Sequence, residues 1–288
     1  MTQTAIPPEM LSLCDPFNRF TTAWEIAHEA ASFLLNDRPT DLSYTYKSTS
    51  SDLVSYMDKK SEEMIVQHIF NNFPQDGVLG EEGANRSGSN NIRWIIDPLD
   101  GTVNYLFGIP LWGVSIGIEI NGSVDYGIVV IPAQGETYVA QRGSGAFRMS
   151  GGNTQNVLVE RIHVRESVSL DRALVTTGFG YSPSRRVRQA EVITGIIPCI
   201  ADIRRGGAAV VDLCWFASGR SDAYFEYGLN PWDYAAGALI AQEAGGVVQG
   251  LTTSDFSEFL VAATPKIFSE FRALLVDKGA HEIFKSSL

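Results

Sequence analysis

Two aspartates three residues apart close an apolar run: Trp94-Ile95-Ile96-Asp97-Pro98-Leu99-Asp100-Gly101-Thr102. Ile92 to Ile96 predicts a short buried strand ending at Asp97, because Pro98 has no N–H to give to a ladder. Gly101 permits a sharp turn, and Gly101-Thr102 can open a short helix, so the turn can aim Asp97 and Asp100 at one spot. Two carboxylates a few Å apart repel unless one is protonated or a cation sits between them. Hard oxygen ligands select Mg²⁺, Mn²⁺ or Ca²⁺. The amides after Asp100 can hold an anion at a helix N-terminus. Cation and phosphate sites together suggest phosphoryl chemistry. A plain Asp-Pro turn with a helix cap accounts for these residues equally well when they are taken alone.

Three other acidic segments are individually bland. Gly80-Glu81-Glu82 places adjacent acids in a loop, where acids are ordinarily solvated. Trp232-Asp233 opens a helix, and Asp is a common N-cap. In Lys47-Ser48 … Asp52-Leu53-Val54 … Asp58, charges on a helix face normally meet water. The four histidines, His28, His68, His163 and His281, show no metal-ligand spacing.

The elements that must position these acids follow from periodicity. Helices are predicted at about Thr21–Leu35, within Ser51–Phe73, at Arg186–Ile197, from about Ala208 to Ser218, and from Asp233 to Ala244 before Gly245-Gly246. Trp112 to Met149 reads as an antiparallel meander with a hairpin turn at Asn121-Gly122. Further strands are expected at Ala173–Thr177, Ile203 and Ala223–Glu226. Residues 1–18 read as an irregular tail. The rest, 19–288, reads as one domain whose halves, about 19–152 and 153–288, meet at the polar break Gly151 to Asn156. Trp94, Trp112 and Trp215 are expected in the core.

The chain has 288 residues, 44% of them hydrophobic and 19% charged, which suffices for a sizeable core and excludes general disorder. Its net charge of −11 and lack of a large Lys/Arg cluster argue against nucleic-acid and anionic-membrane binding. An acidic chain with an anionic substrate would need cations to offset its own field. The three cysteines, Cys14, Cys199 and Cys214, are far apart and fit buried free thiols in a reducing cytoplasm. No signal peptide or membrane-length apolar run is visible.

The combination D-P-L-D-G-T-V-N-Y and W-D-Y-A-A-G-A-L-I-A-Q-E-A-G-G, with G-E-E and K-S-T-S-S-D-L-V-S-Y-M-D, resembles the inositol monophosphatase family of Mg²⁺-dependent, lithium-sensitive sugar phosphatases. The resemblance runs from about Thr21 to the C-terminus. It implies an α+β fold layered α-β-α-β-α, a homodimer, and two to three Mg²⁺ per subunit. It assigns one ion to Glu81, Asp97 and the Leu99 carbonyl, a second to Asp97, Asp100 and Asp233, and a weaker third near Glu81. Asp58 and Thr102, with Glu81, would position or activate the attacking water. The Gly101 and Thr102 amides would face the phosphate.

The family contains several phosphatases, and selectivity lies outside the metal cluster. Glu226 matches the residue that accepts hydrogen bonds from inositol hydroxyls, and Ala209 a small residue lining that pocket. Asp100, Gly101, Thr102 and Asp233 would complete the substrate contacts. Inositol 1-phosphate is therefore the expected substrate. Histidinol phosphate, fructose 1,6-bisphosphate and nucleotide 3′-phosphates are the alternatives. Two departures, Ala208 where inositol-type members often carry Thr and Phe107 where many carry His, bear on the substrate and not on hydrolysis. Arg204 and Arg205 could meet phosphate or substrate at the rim, or serve only at the surface.

Overall fold

The computed structural model describes residues 18–38, 44–46, 53–151, 157–166 and 169–282. The expected tail, most of the Gly151 to Asn156 break, Cys14 and Lys47 to Asp52 lie outside these residues. The helices are α1 (Arg19–Asn36), α2 (Tyr56–Asn72), α3 (Thr102–Phe107), α4 (Pro183–Ile196), α5 (Ala209–Ala217), α6 (Pro231–Glu243) and α7 (Phe268–Asp277). No helix among the described residues is long and apolar enough to cross a membrane.

A small hairpin joins β1 (Tyr44–Tyr46) and β2 (Leu53–Ser55). The large sheet contains β3 (Gly77–Gly80), β4 (Asn85–Arg86), β5 (Ile92–Asp100), β6 (Gly113–Ile120), β7 (Ser123–Ile131), β8 (Glu136–Gln141), β9 (Gly145–Ser150) and β10 (Leu158–Ile162). Its eight strands run in the order β10-β9-β8-β7-β6-β5-β3-β4. A second sheet holds β11 (Leu174–Thr177), β12 (Asp202–Arg204), β13 (Ala223–Tyr227), β14 (Val247–Gly250) and β15 (Phe259–Ala263), ordered β12-β11-β13-β15-β14.

Three apolar cores glue the layers. The first joins α1 and α2 to one face of the large sheet through Trp24, Ile65, Ile116, Ile118, Ile128 and Val130. The second uses the opposite face, with Val129 and Ile131, against α5, α6 and the second sheet's Tyr224, Leu260 and Ala262. The third packs α4 and α7 on the far face of that sheet through Val192, Ile196, Phe271 and Leu275. Alternation along β7, with Ile128 and Val130 on one side and Val129 and Ile131 on the other, is the period-2 signature of a strand covered on both faces. The result is the α-β-α-β-α layering that the resemblance implies.

The meander appears as β6 to β9, and its Asn121-Gly122 turn has φ of 52° and 82°, the geometry of a two-residue hairpin. β10 lies beyond the polar break yet pairs with β9. The large sheet thus extends past the boundary expected at about residue 152. Trp94 and Trp112 are buried, whereas Trp215 is only partly so. Cys214 is buried, but Cys199 is half-exposed, so the expectation of uniformly buried thiols fails there.

Candidate active site

The strand carrying the two aspartates does not stop at Asp97. β5 continues to Asp100, with Asp97 opposite Ser115 and Asp100 opposite Gly113. Three steps on β5 match two on β6, so the strand carries one extra residue at Pro98-Leu99. In a regular strand, residues three apart point to opposite faces. The bulge cancels that alternation and lets both aspartates line one cavity. Ladder pairing resumes at Asp100 because Pro98 falls inside the bulge, where a missing N–H costs no ladder bond.

Beyond Asp100 the chain turns at Gly101, with φ of 90°. A side chain there would also place a Cβ 2.9 Å from the Leu111 carbonyl, so only glycine fits. Helix α3 then starts at Thr102, whose hydroxyl lies 2.8 Å from Asp58 Oδ2 and 3.1 Å from the Leu99 carbonyl. Asp58 is buried in the first turn of α2. The bland solvent-facing account of its charge is thereby overturned. One turn along α2, the Ser61 hydroxyl donates to the Pro98 carbonyl at 3.1 Å and ties helix to bulge.

Glu62 is a residue that sequence reasoning missed. It is buried, and its carboxylate accepts the N–H groups of Glu82 at 2.8 Å and Ala84 at 2.9 Å. These bonds shape the loop presenting Glu81 and Glu82. Asp58, Glu81 and Glu82 each bring one carboxylate oxygen to within 4.8 Å of the others. Among the described residues no other group of three potential metal ligands is so tight. Glu82 therefore joins the acidic centre, although the sequence assigned it no role. The usable signal was the Asp58/Glu62 pair at i, i+4, which shares one helix face.

Asp233 arrives from the opposite side. Helix α6 opens at Pro231, not at Asp233, and Asn230 is the cap. Asp233 sits at the third helical position, and its Oδ2 accepts the Asn230 N–H at 2.6 Å. The helix can lie close on the large sheet because Gly117 and Gly127 face each other across β6 and β7. A Cβ at Gly127 would lie 2.8 Å from the Ala236 carbonyl, and one at Gly117 3.1 Å from Ala235 Cβ. Small residues on both surfaces thus set the depth at which α6 delivers its carboxylate.

A cavity of about 1080 Å³ receives these groups. Glu81, Asp97, Leu99, Asp100, Gly101, Thr102, Ala209, Glu226 and Asp233 all line it. Asp58 does not, and reaches it through Thr102. Both departures from the family pattern, Ala208 and Phe107, also line it. Of the two rim arginines, Arg205 lines the cavity, while Arg204 does not and pairs with Asp202 at 2.6 Å.

The electrostatics test whether a cation fits. Asp97 and Asp100 are held well above the usual carboxylate range. For Asp97 the causes are burial first, then the charges of Glu81, Asp100, Asp233 and Asp58. For Asp100 burial again leads, followed by Asp233, with the Val210 N–H at 2.7 Å opposing. No Lys or Arg among the described residues forms an ion pair with either, and their recorded donors are the backbone N–H groups of Leu99 and Val210. A set of converging hard oxygens with mutual repulsion and no built-in cation suits an external divalent ion.

Glu226 lines the cavity from the second sheet. Its pKa is raised by burial, with the Tyr224 hydroxyl at 2.7 Å and the charge of Arg205 pulling the other way. This carboxylate can accept from hydroxyls of a polyol.

The inositol monophosphatase family model matches residues 18–280. A Pasteurella multocida protein named Nus factor SuhB is 40% identical over 239 residues, 81% of this chain and 86% of its own. A Mycobacterium bovis protein named inositol-1-monophosphatase is 37% identical over 278 residues, 91% of this chain and 94% of its own. Among solved structures, extragenic suppressor protein suhB from Bartonella henselae matches with a TM-score of 0.81 at 30% identity, covering 89% of this chain and 97% of that one. Mycobacterium tuberculosis SuhB matches with a TM-score of 0.74 at 34% identity, covering 90% and 96%. With the family model spanning nearly all the described residues, and relatives this similar over most of its length, the chain belongs to the inositol monophosphatase family.

Proposed function

We propose that this phosphatase hydrolyses the monophosphate ester of a small polyol, with Mg²⁺ as its ion and inositol 1-phosphate among its substrates. The observation carrying the reading is that Glu81, Asp97, Asp100 and Asp233, from three distant segments, line one cavity with Glu226. In the reaction the ester P–O bond breaks, a water oxygen joins phosphorus, and the released oxygen leaves as an alcohol. Divalent cations held by Glu81, Asp97, the Leu99 carbonyl, Asp100 and Asp233 would lower the pKa of water and offset charge on phosphate and leaving oxygen.

The chain's own groups supply positioning. With the Thr102 proton directed to Asp58 Oδ2, the hydroxyl oxygen keeps lone pairs to accept from a water and orient it. Asp58 holds Thr102 in that sense. The backbone N–H groups of Gly101 and Thr102 would face the phosphate oxygens. Glu226 would accept from the polyol hydroxyls beside Ala209, where a small side chain leaves space for a ring. The named relative from Mycobacterium bovis supports the choice of inositol. Homodimer assembly, lithium inhibition and a cytoplasmic site belong to the same proposal through family membership.

Phosphate release across polyol, amino-alcohol, sugar and nucleotide monophosphates, with Mg²⁺ and with EDTA, tests it. Mg²⁺-dependent turnover of inositol 1-phosphate is expected. Turnover of histidinol phosphate at a severalfold higher kcat/KM would overturn the substrate, and metal-independent turnover would overturn the centre.

A further inference from the structure

Strand β6 has two unlike faces. Val114, Ile116 and Ile118 belong to the first core, whereas Gly113, Ser115 and Gly117 lie on the face covered by α5 and α6. A Cβ at Gly113 would lie 3.4 Å from Val210 Cγ2, and one at Gly117 3.1 Å from Ala235 Cβ. Close packing of the two helices therefore calls for small residues along this face. Alanine would meet that need at position 115, yet the chain carries serine.

The extra oxygen has no partner of its own. Ser115 is buried, and its Oγ is shut from solvent with no hydrogen bond. Among the described residues Ser221 and Thr264 are the only other hydroxyls so placed. A buried donor left unmet is destabilising, and such groups are few in folded proteins. A role in a second state of the molecule accounts for keeping one here.

The neighbours of Ser115 identify the partner. On β7 the residue directly opposite is Val129, part of the second core. Along β6 the same-face neighbours are the two glycines, and the side chains over them, Val210 and Ala235, are apolar. On β5 the residue directly opposite is Asp97. Directly opposed side chains of an antiparallel pair share a face, with Cβ atoms about 4.5–5.5 Å apart. Rotation about χ1 carries a serine oxygen through three staggered positions, and at such a separation it can meet a carboxylate. Asp97 Oδ1 accepts the Leu99 N–H at 3.0 Å. A carboxylate has about four acceptor sites, which leaves room for both an ion and a hydroxyl.

We propose that Ser115 is a positioning residue for the metal centre: its hydroxyl donates to Asp97 when that carboxylate takes an ion, and so fixes the orientation of the ligand. The inference rests on the phosphatase reading for the ion at Asp97 and adds the group that holds Asp97 toward it. Ser115 acts through Asp97 alone.

Calorimetric titration of Mg²⁺ into metal-free wild type, Ser115→Ala, Ser115→Cys and Ser221→Ala provides the test, with the melting temperature of each taken in EDTA. Groups that orient metal ligands typically matter about 10–100-fold in affinity. The Mg²⁺ dissociation constant of Ser115→Ala should rise about tenfold, at the lower end of that range. Its metal-free melting temperature should hold or rise, because the unmet hydroxyl is gone. Ser115→Cys keeps the shape and a weak donor, so its affinity should fall between the two. Ser221→Ala removes an equally unpartnered hydroxyl just before β13, at the end of that strand away from Glu226. It should bind Mg²⁺ as the wild type does.

Unchanged affinity in Ser115→Ala overturns the role, as does an equal loss in Ser221→Ala. A marked fall in the metal-free melting temperature of Ser115→Ala also overturns it, since the hydroxyl would then serve the fold. A wild type that takes up no Mg²⁺ removes the centre itself and the serine's role with it, an outcome distinct from loss of the role alone.

Discussion

Asp76 and Asp97 are both buried, yet their surroundings treat charge in opposite ways. Asp76 receives Arg19 through Nε at 2.8 Å and Nη2 at 3.0 Å, Asn90 Nδ2 at 2.7 Å and Trp94 Nε1 at 2.9 Å. Burial alone would raise its pKa, but these bonds outweigh it and hold it below the ordinary value. Asp97 has other carboxylates for neighbours and is pushed up. The same contrast recurs with Glu136, which is paired with Arg148 and Arg220, and with Asp222, which is paired with Arg165. For Asp76, Glu136 and Asp222 the chain supplies a cation. Around Asp97 and Asp100 it supplies more anions.

The largest effect is expected from Asp97→Asn. If the centre holds a cation through Asp97, phosphate release should drop on the order of a thousandfold or more. The substitution removes a repelled charge and keeps an acceptor for the Leu99 N–H, so the metal-free melting temperature should hold or rise. Near-wild-type turnover, or collapse of the fold in EDTA, would erase the distinction between the two aspartates.

Asp76→Asn should do the reverse. Breaking a buried pair leaves Arg19 uncompensated, which costs about 3–5 kcal/mol of stability, while Mg²⁺ dependence persists. The pH dependence has a definite sign. Because the folded carboxyl lies below its unfolded value of about 3.9, its contribution is complete above that pH and is lost as pH falls through the folded value. Urea unfolding should therefore show the gap between wild type and variant closing in acid. A gap that is constant with pH would mean that the charge of Asp76 contributes nothing.

Mg²⁺ itself sharpens the contrast. An ion bound only by the folded chain stabilises it by about 2.7 kcal/mol at one hundred times its dissociation constant. Wild type and Asp76→Asn should both gain melting temperature with Mg²⁺, and Asp97→Asn should gain far less. Equal gains in all three would place the ion elsewhere.

Legibility in the sequence followed the range of the interaction. Covalent neighbours and periodicity carried the helices up to α6, the Asn121-Gly122 hairpin and the short list of acids, but not α7, β14 or β15, over which no element was expected. They did not carry the bulge at Pro98-Leu99, because strand register depends on what β6 offers opposite. The break near residue 152 marked a polar segment and not the sheet's end, since pairing of β10 with β9 is a tertiary choice. Asp233 looked like a cap because Asp is a common one, whereas the cap in the structure is Asn230, three residues earlier. Arg185 was visible only as part of a short basic run, Arg185-Arg186-Val187-Arg188. Its surroundings come from glycines at 180 and 228 and from Tyr227, nearly fifty residues apart in the chain.

Glu62 lies between the two kinds of acid and yields the smallest effect. Like Asp97 it is raised, by burial first, and its backbone hydrogen bonds from Ala84 and Glu82 pull it back. Like Asp76 it serves the fold, but the piece of fold it holds is the loop of Glu81 and Glu82. Glu62→Gln keeps one acceptor oxygen and turns an NH₂ toward an N–H, so one loop contact becomes repulsive. Outer groups that orient metal ligands typically matter about 10–100-fold in affinity, and with one bond retained the lower end applies. The Mg²⁺ concentration for half-maximal phosphate release should rise about tenfold, with a much smaller loss of stability than in Asp76→Asn. A large stability loss at unchanged Mg²⁺ response would class Glu62 with Asp76. An unchanged value of both would mean that the loop holds its ligands without it, and that the Asp58–Glu81–Glu82 cluster is set by the backbone alone.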